Sequence, residues 1–147
     1  MNSYAIPVQR RKLKQIGNRI ILLLAENNNI SKYRIFGNLI FLECTNLISE
    51  GTIDGKKVFD SIISSSNQDK IYESIRKLIK GKKEVNTFAI QVKRKGEHPY
   101  NSTSLARDVA GSVFEEWKRI SVDLDNPELE IIVQIVNNIS IIYLKYT

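Results

Sequence analysis

Apolar residues recur along this chain in two periods, about 3.6 and 2, and the switches between them divide it into elements. Residues 3–8 alternate as a short strand. Over residues 10–27, Leu13, Ile16, Ile20, Leu23 and Leu24 fall at helical spacing, with Arg11, Lys14, Gln15 and Asn18 on the opposite face. Asn27, Asn28 and Asn29 end this helix, because Asn tolerates left-handed backbone and competes for hydrogen bonds. Residues 32–36 and 39–44 read as strands joined by Gly37-Asn38, a two-residue hairpin signal. Asp54-Gly55 then leads into a helix over 56–64, where Val58, Phe59, Ile62 and Ile63 make one apolar face, and the polar run 64–67 breaks it. A second helix over 69–80 carries Ile71, Ile75, Leu78 and Ile79 and stops at Gly81.

The last third echoes the first. Residues 87–93 alternate, with Phe88, Ile90 and Val92 on one side. The residue before Pro99 is barred from helix, and a helix opens between Asn101 and Ser104. Its stripe is Leu105, Val109, Val113 and Trp117, and it runs to about Lys118. Strands over 130–136 and 140–146 follow, joined by Asn137-Asn138. Strand-helix-strand-strand therefore occurs twice with two helices between, which predicts an α+β protein of two small layers rather than one large sheet.

Composition narrows the picture. With 147 residues, 42% hydrophobic and 26% charged, the chain is globular, one compact unit or two very small ones. No apolar run nears the roughly 18 residues of a membrane helix, and the run 20–25 directly follows Arg19 and lacks a leader cleavage site. No membrane association is expected. The single cysteine, Cys44, excludes internal disulfides and reads as a buried structural thiol, so a cytoplasmic setting is the default. His98 is the only histidine, which leaves a metal cluster or a Ser-His-Asp triad nothing to draw on. Asp123 and Asp125 read as a solvated turn before Pro127, and neither phosphate-loop nor dinucleotide glycine motif is present. The expectation is a protein without catalytic residues, cofactor or metal.

The net charge of +6 and a pI near 9.4 point to a polyanionic partner without saying which. Two basic features stand out. Arg10, Arg11, Lys12, Lys14 and Arg19 occupy a stretch without acids. Lys93, Arg94 and Lys95 close a strand and enter the His98 loop, with Arg107 on the helix that follows. Taken alone, the triplet is either a solvated loop or a phosphate cradle beside a helix N-terminus. His98 and Tyr100 could stack on an unpaired base or simply pack locally.

The stretch from Thr87 onward resembles a THUMP domain, the RNA-binding module of several tRNA-modifying enzymes. The resemblance rests on Thr87-Phe88-Ala89-Ile90-Gln91-Val92-Lys93-Arg94, then His98, then Leu105-Ala106-Arg107-Asp108-Val109-Ala110-Gly111, and on Val122-Asp123-Leu124-Asp125-Asn126-Pro127. It implies helix-helix-strand-helix-strand-strand over residues 51–147, preceded by a ferredoxin-like strand-helix-strand-strand domain over 1–50. It also implies binding of tRNA near the acceptor end, with Lys93, Arg94, His98 and Arg107 as RNA contacts; Lys95, Tyr100 and Ser102 beside them, and Arg10 and Arg11 of the first domain, are further candidate contacts. Because the chain stops at Thr147 without a catalytic domain, it is similar to stand-alone THUMP adaptors that present tRNA to a separate enzyme, as in cytidine acetylation. An RNA-binding subunit of a split thiolation or methylation enzyme is the alternative. A ferredoxin-like domain that binds a small metabolite is the reading from another class.

Overall fold

The structure is a computed structural model and describes residues 1–9, 11–49 and 51–147. They form two compact units, Met1–Ser61 and Ile62–Thr147. The boundary expected from the sequence lies at 50/51.

In the first unit β1 (Asn2–Pro7), α1 (Leu13–Ala25), β2 (Ser31–Phe36) and β3 (Leu39–Cys44) follow in order. β3 lies antiparallel between β1 and β2, and Gly37 takes the positive φ of 61° that their hairpin turn requires. Tyr4 and Ile6 of β1 and Ile40, Leu42 and Cys44 of β3 share one face and bury against Ile20 and Leu24 of α1. Cys44 is thus a core thiol, its ionisation pushed up by burial. The asparagine run does more than stop α1. Asn28 adopts φ 59°, and buried Asn29 accepts hydrogen bonds from Asn46 N at 2.9 Å and Thr45 Oγ1 at 3.2 Å, tying the helix end to the end of β3.

The helix expected over 56–64 does not form. In its place stand β4 (Thr52–Ile53), β5 (Lys56–Lys57) and β6 (Phe59–Ser65). Asp54 and Gly55 both take positive φ, 52° and 74°, so Asp-Gly is the turn of the β4–β5 hairpin rather than a helix entry. Val58, Phe59, Ile62 and Ile63 are β-branched or aromatic, and a run this short carries no periodicity that separates helix from strand. The start of β6 pairs with β1 through Phe59 and Asp60.

The second unit takes Ile62 to Ser65 of β6, then α2 (Gln68–Ile79), β7 (Thr87–Lys95), α3 (Ser102–Val109), α4 (Gly111–Glu116), β8 (Ser121–Val122), β9 (Leu129–Val136) and β10 (Ile139–Tyr146). Its strands run in the order β6-β10-β9-β7-β8, with β9 and β10 an antiparallel hairpin and β7 parallel to β9. As expected, the strands beginning near Thr87, Glu130 and Ser140 share one sheet, and Val133, Ile135, Ile142 and Leu144 are buried. Ile71 and Ile75 of α2, Leu105 and Val109 of α3 and Val113 of α4 cover Phe88, Leu129 and Ile131 on one face.

The single helix expected over 101–118 is divided at Ala110, whose N–H reaches back three residues to Arg107 O. The break lets Gly111 approach Tyr72 of α2, where a Cβ would lie 3.1 Å from the phenol oxygen. Asp123 Oδ1 accepts from the amides of Asp125 and Asn126, both at 3.0 Å, which makes that segment a turn. Among the described residues no helix is long and apolar enough to cross a membrane.

Tyr143 of β10 is 3% exposed, and burial, then the charge of Glu130, push its phenol up to about 12. An unfolded tyrosine ionises near 10. The neutral phenol therefore stabilises the fold fully below pH 10, and this contribution of roughly 2–3 kcal/mol is lost as pH rises from 10 to 12. Denaturant unfolding over that range should show wild type losing this much more than Tyr143→Phe. Parallel curves would contradict the assignment.

Candidate nucleic-acid interface

β7 changes character along its length. Phe88 and Ala89 are buried, Ile90 and Val92 half-buried, and Lys93, Arg94 and Lys95 exposed. Its register with β9 sets Lys95 opposite Val136, the last residue before the Asn137-Asn138 turn. The strand therefore ends against that turn, and Asn137 N donates to Lys95 O at 2.8 Å. The chain can leave only through glycine. Gly96 has φ 107°, and a Cβ there would meet Asn137 Oδ1 at 2.6 Å and its Cα at 3.2 Å.

The loop that follows is stapled to the β9–β10 turn and to the start of α2. His98 Nε2 lies 2.7 Å from Asn137 O, and its Nδ1 lies 3.3 Å from Arg94 Nη1. A carbonyl can only accept and a guanidinium only donate, so the fitting tautomer is neutral, with its proton on Nε2. The imidazole stacks on Tyr100, rings 5.4 Å apart and 5° from parallel. Tyr100 donates its hydroxyl to Ser66 O at 2.5 Å, while Ser66 N donates to Asn138 O at 2.9 Å. Burial raises the Tyr100 phenol's pKa and the Arg94 charge partly offsets this, so the group remains a donor. Asn101 then caps α3 with a reciprocal capping box to Ser104.

Arg94 is held from two sides, by His98 and by Gly96 O at 3.4 Å. Lys93 and Lys95 fall on the opposite face of the strand by alternation. Arg76 meets Glu73, Glu115 and Glu116, and Arg107 meets Asp108 at 3.8 Å, whereas among the described residues the triplet forms no ion pair.

The residues singled out in the sequence do not form one patch. Arg94, His98 and Tyr100 come together in the stapled loop, with Lys93 and Lys95 beside them on the strand. Ser102 and Arg107 line a separate, mainly apolar groove of about 590 Å³ along α3. Arg11 is exposed in the first unit beside the Gly37-Asn38 turn, and Arg10 lies outside the described residues. Sequence reading missed Asn137, Asn138 and Ser66, because they act through backbone atoms and no side-chain chemistry marks them. The groove left a signal: Phe114 and Leu124 are apolar where the helix and turn patterns call for polar residues.

A family model described as THUMP domain matches residues 65–145. A probable tRNA sulfurtransferase of Thermoanaerobacter sp. is 33% identical over 103 residues, covering 65% of this chain and 27% of that protein. A tRNA sulfurtransferase of Vibrio vulnificus is 34% identical over 68 residues, 46% of this chain and 14% of the enzyme. The chain thus spans about a quarter or less of the curated relatives it matches. Among solved structures, a 4-thiouridine synthetase–RNA complex with bound ATP shares the fold over 99% of this chain and 41% of that one, with a TM-score of 0.73 at 13% identity.

His98→Phe keeps a ring on Tyr100 and removes both imidazole contacts. Amides of residues 94–100 should then exchange with deuterium about tenfold faster, while global stability changes by no more than about 1 kcal/mol. Unchanged exchange would mean that the imidazole holds nothing.

Proposed function

The chain belongs to the THUMP-domain family, and from that premise we propose that it binds tRNA through the end of β7 and presents it, without catalysing, to a separate modifying enzyme. In this reading residues 1–50 are the ferredoxin-like domain and 51–147 the THUMP domain, working in the cytoplasm.

The observation that carries the proposal is the exposed triplet Lys93, Arg94 and Lys95, in no ion pair among the described residues, on a strand whose end is held by four hydrogen bonds of the adjoining loop and turn. Lys93 and Lys95 are free to turn to phosphate oxygens, and Arg94, held by His98 and Gly96 O, keeps donors of its guanidinium for the same contact on a rigid base. Arg107 and the first turn of α3, beside the separate groove, offer a second positive surface. The relatives' names support tRNA as the ligand, since both are tRNA sulfurtransferases. For the enzyme served, the sequence resemblance suggests cytidine acetylation. The sulfurtransferase relatives favour the second reading, an RNA-binding part of a thiolation system.

The test is binding of tRNA across a salt series. Each neutralised phosphate contributes roughly −0.7 to the slope of log affinity against log salt for single-stranded contacts. Arg94→Ala should weaken binding and flatten the slope by about 0.7, whereas Lys77→Ala, on the exposed face of α2, should leave both nearly unchanged. Equal losses for the two variants would mean diffuse attraction and no site.

A further inference from the structure

β7 is a long strand with a short neighbour. β8 pairs with it only at Thr87 and Phe88, and the bond from Asp123 N to Phe88 O at 3.0 Å closes that ladder. From Ile90 to Lys95 no strand among the described residues pairs with the outer edge of β7, so its outward backbone groups are unladdered. The 590 Å³ groove lies beside this stretch, between Ile90 and Val92 of β7 and Ala106, Ala110 and Phe114 of the helices, with Leu124 at its end. Phe114, Val122 and Leu124, 40%, 49% and 77% exposed, all line it. Open backbone edge and apolar groove thus coincide where a longer β8 would have run.

We propose that this edge docks an extended segment of a partner protein, added as a strand beside residues 90–95 of β7, with apolar side chains alternating into the groove and acidic ones on the other face. Strand alternation gives the chemistry. Ile90 and Val92 face the helices, so one row of the added strand lies over the groove; Lys93 and Lys95 face the other way and select acidic neighbours. A second copy is a poor occupant. Two β7 edges together would place three cations from each chain in one short ladder, and lysines on an edge reject such pairing. RNA offers no backbone to continue a β-ladder, whereas strand addition uses the edge and the pockets together. The inference stands on the β7 edge and does not require the tRNA reading.

The experiment titrates the isotope-labelled full chain with the peptide acetyl-Glu-Ile-Glu-Val-Glu-Val-amide, following backbone amides and methyl groups by NMR. Parallel arms use the same peptide with Lys for Glu, and the trinucleotide cytidine-cytidine-adenosine. Saturable shifts should appear at amides 90–95 and at the Val122 and Leu124 methyls, with the lysine peptide at least tenfold weaker. Ala106→Phe, which fills the groove, and Leu124→Ser, which removes part of its wall, should each weaken the acidic peptide at least fivefold while distant resonances stay in place. Absence of these shifts overturns the proposal. So do groove shifts with the trinucleotide and not the peptide, or groove shifts that depend only on protein concentration.

Discussion

The basic end of the second unit depends on one constraint, the register in which β7 pairs parallel to β9. A parallel pair needs a crossover, and α3, α4 and β8 supply it. What holds the register is burial. Phe88 on β7 and Leu129, Ile131 and Val133 on β9 face the helices together, each worth roughly 1.5–3 kcal/mol when buried. A slip of one residue would turn Phe88, Ile90 and Val92 away from that core and bring Lys93 and Lys95 into it. The cations therefore stand beside the Asn137-Asn138 turn because an apolar stripe several residues earlier is satisfied only there.

A second consequence is a division of labour within the loop. From sequence His98 and Tyr100 read either as surfaces for a base or as local packing, and in the structure His98 engages both nitrogens, and Tyr100 its hydroxyl, in holding the loop. Their partners are backbone carbonyls and the neighbouring guanidinium, so the loop owes its position to geometry that only Gly96 permits. Arg94, oriented by His98 and Gly96, belongs to both systems. It is where structural rigidity meets the exposed charge.

Much of this was legible in the sequence. Alternation in β7, the apolar runs of β9 and β10 around the Asn137-Asn138 turn, and helical spacing in α1 and α2 place those elements to within a few residues. The strand-end position of Lys93, Arg94 and Lys95 follows from alternation that ceases at Val92. The segment 56–64 was misread because Val58, Phe59, Ile62 and Ile63 fit either period, while the Asp54-Gly55 hairpin turn was the informative signal beside them. Sequence pattern also could not show that Arg107 and Ser102 turn toward an apolar groove, since their orientation depends on where α3 sits over β7. Nor could it reveal the staple through Asn137 and Ser66, which is made by main-chain atoms that every residue carries.

The central claim is that the cations at the end of β7 form the nucleic-acid contact, and lysine footprinting tests it most directly. The full chain would be acetylated with a water-soluble reagent, free and with saturating tRNA, and each lysine's rate read by mass spectrometry. The account predicts that tRNA slows Lys93 and Lys95 at least fivefold and leaves Lys70 and Lys77 of α2 reactive. Protection of the α2 lysines with Lys93 and Lys95 unchanged would contradict it.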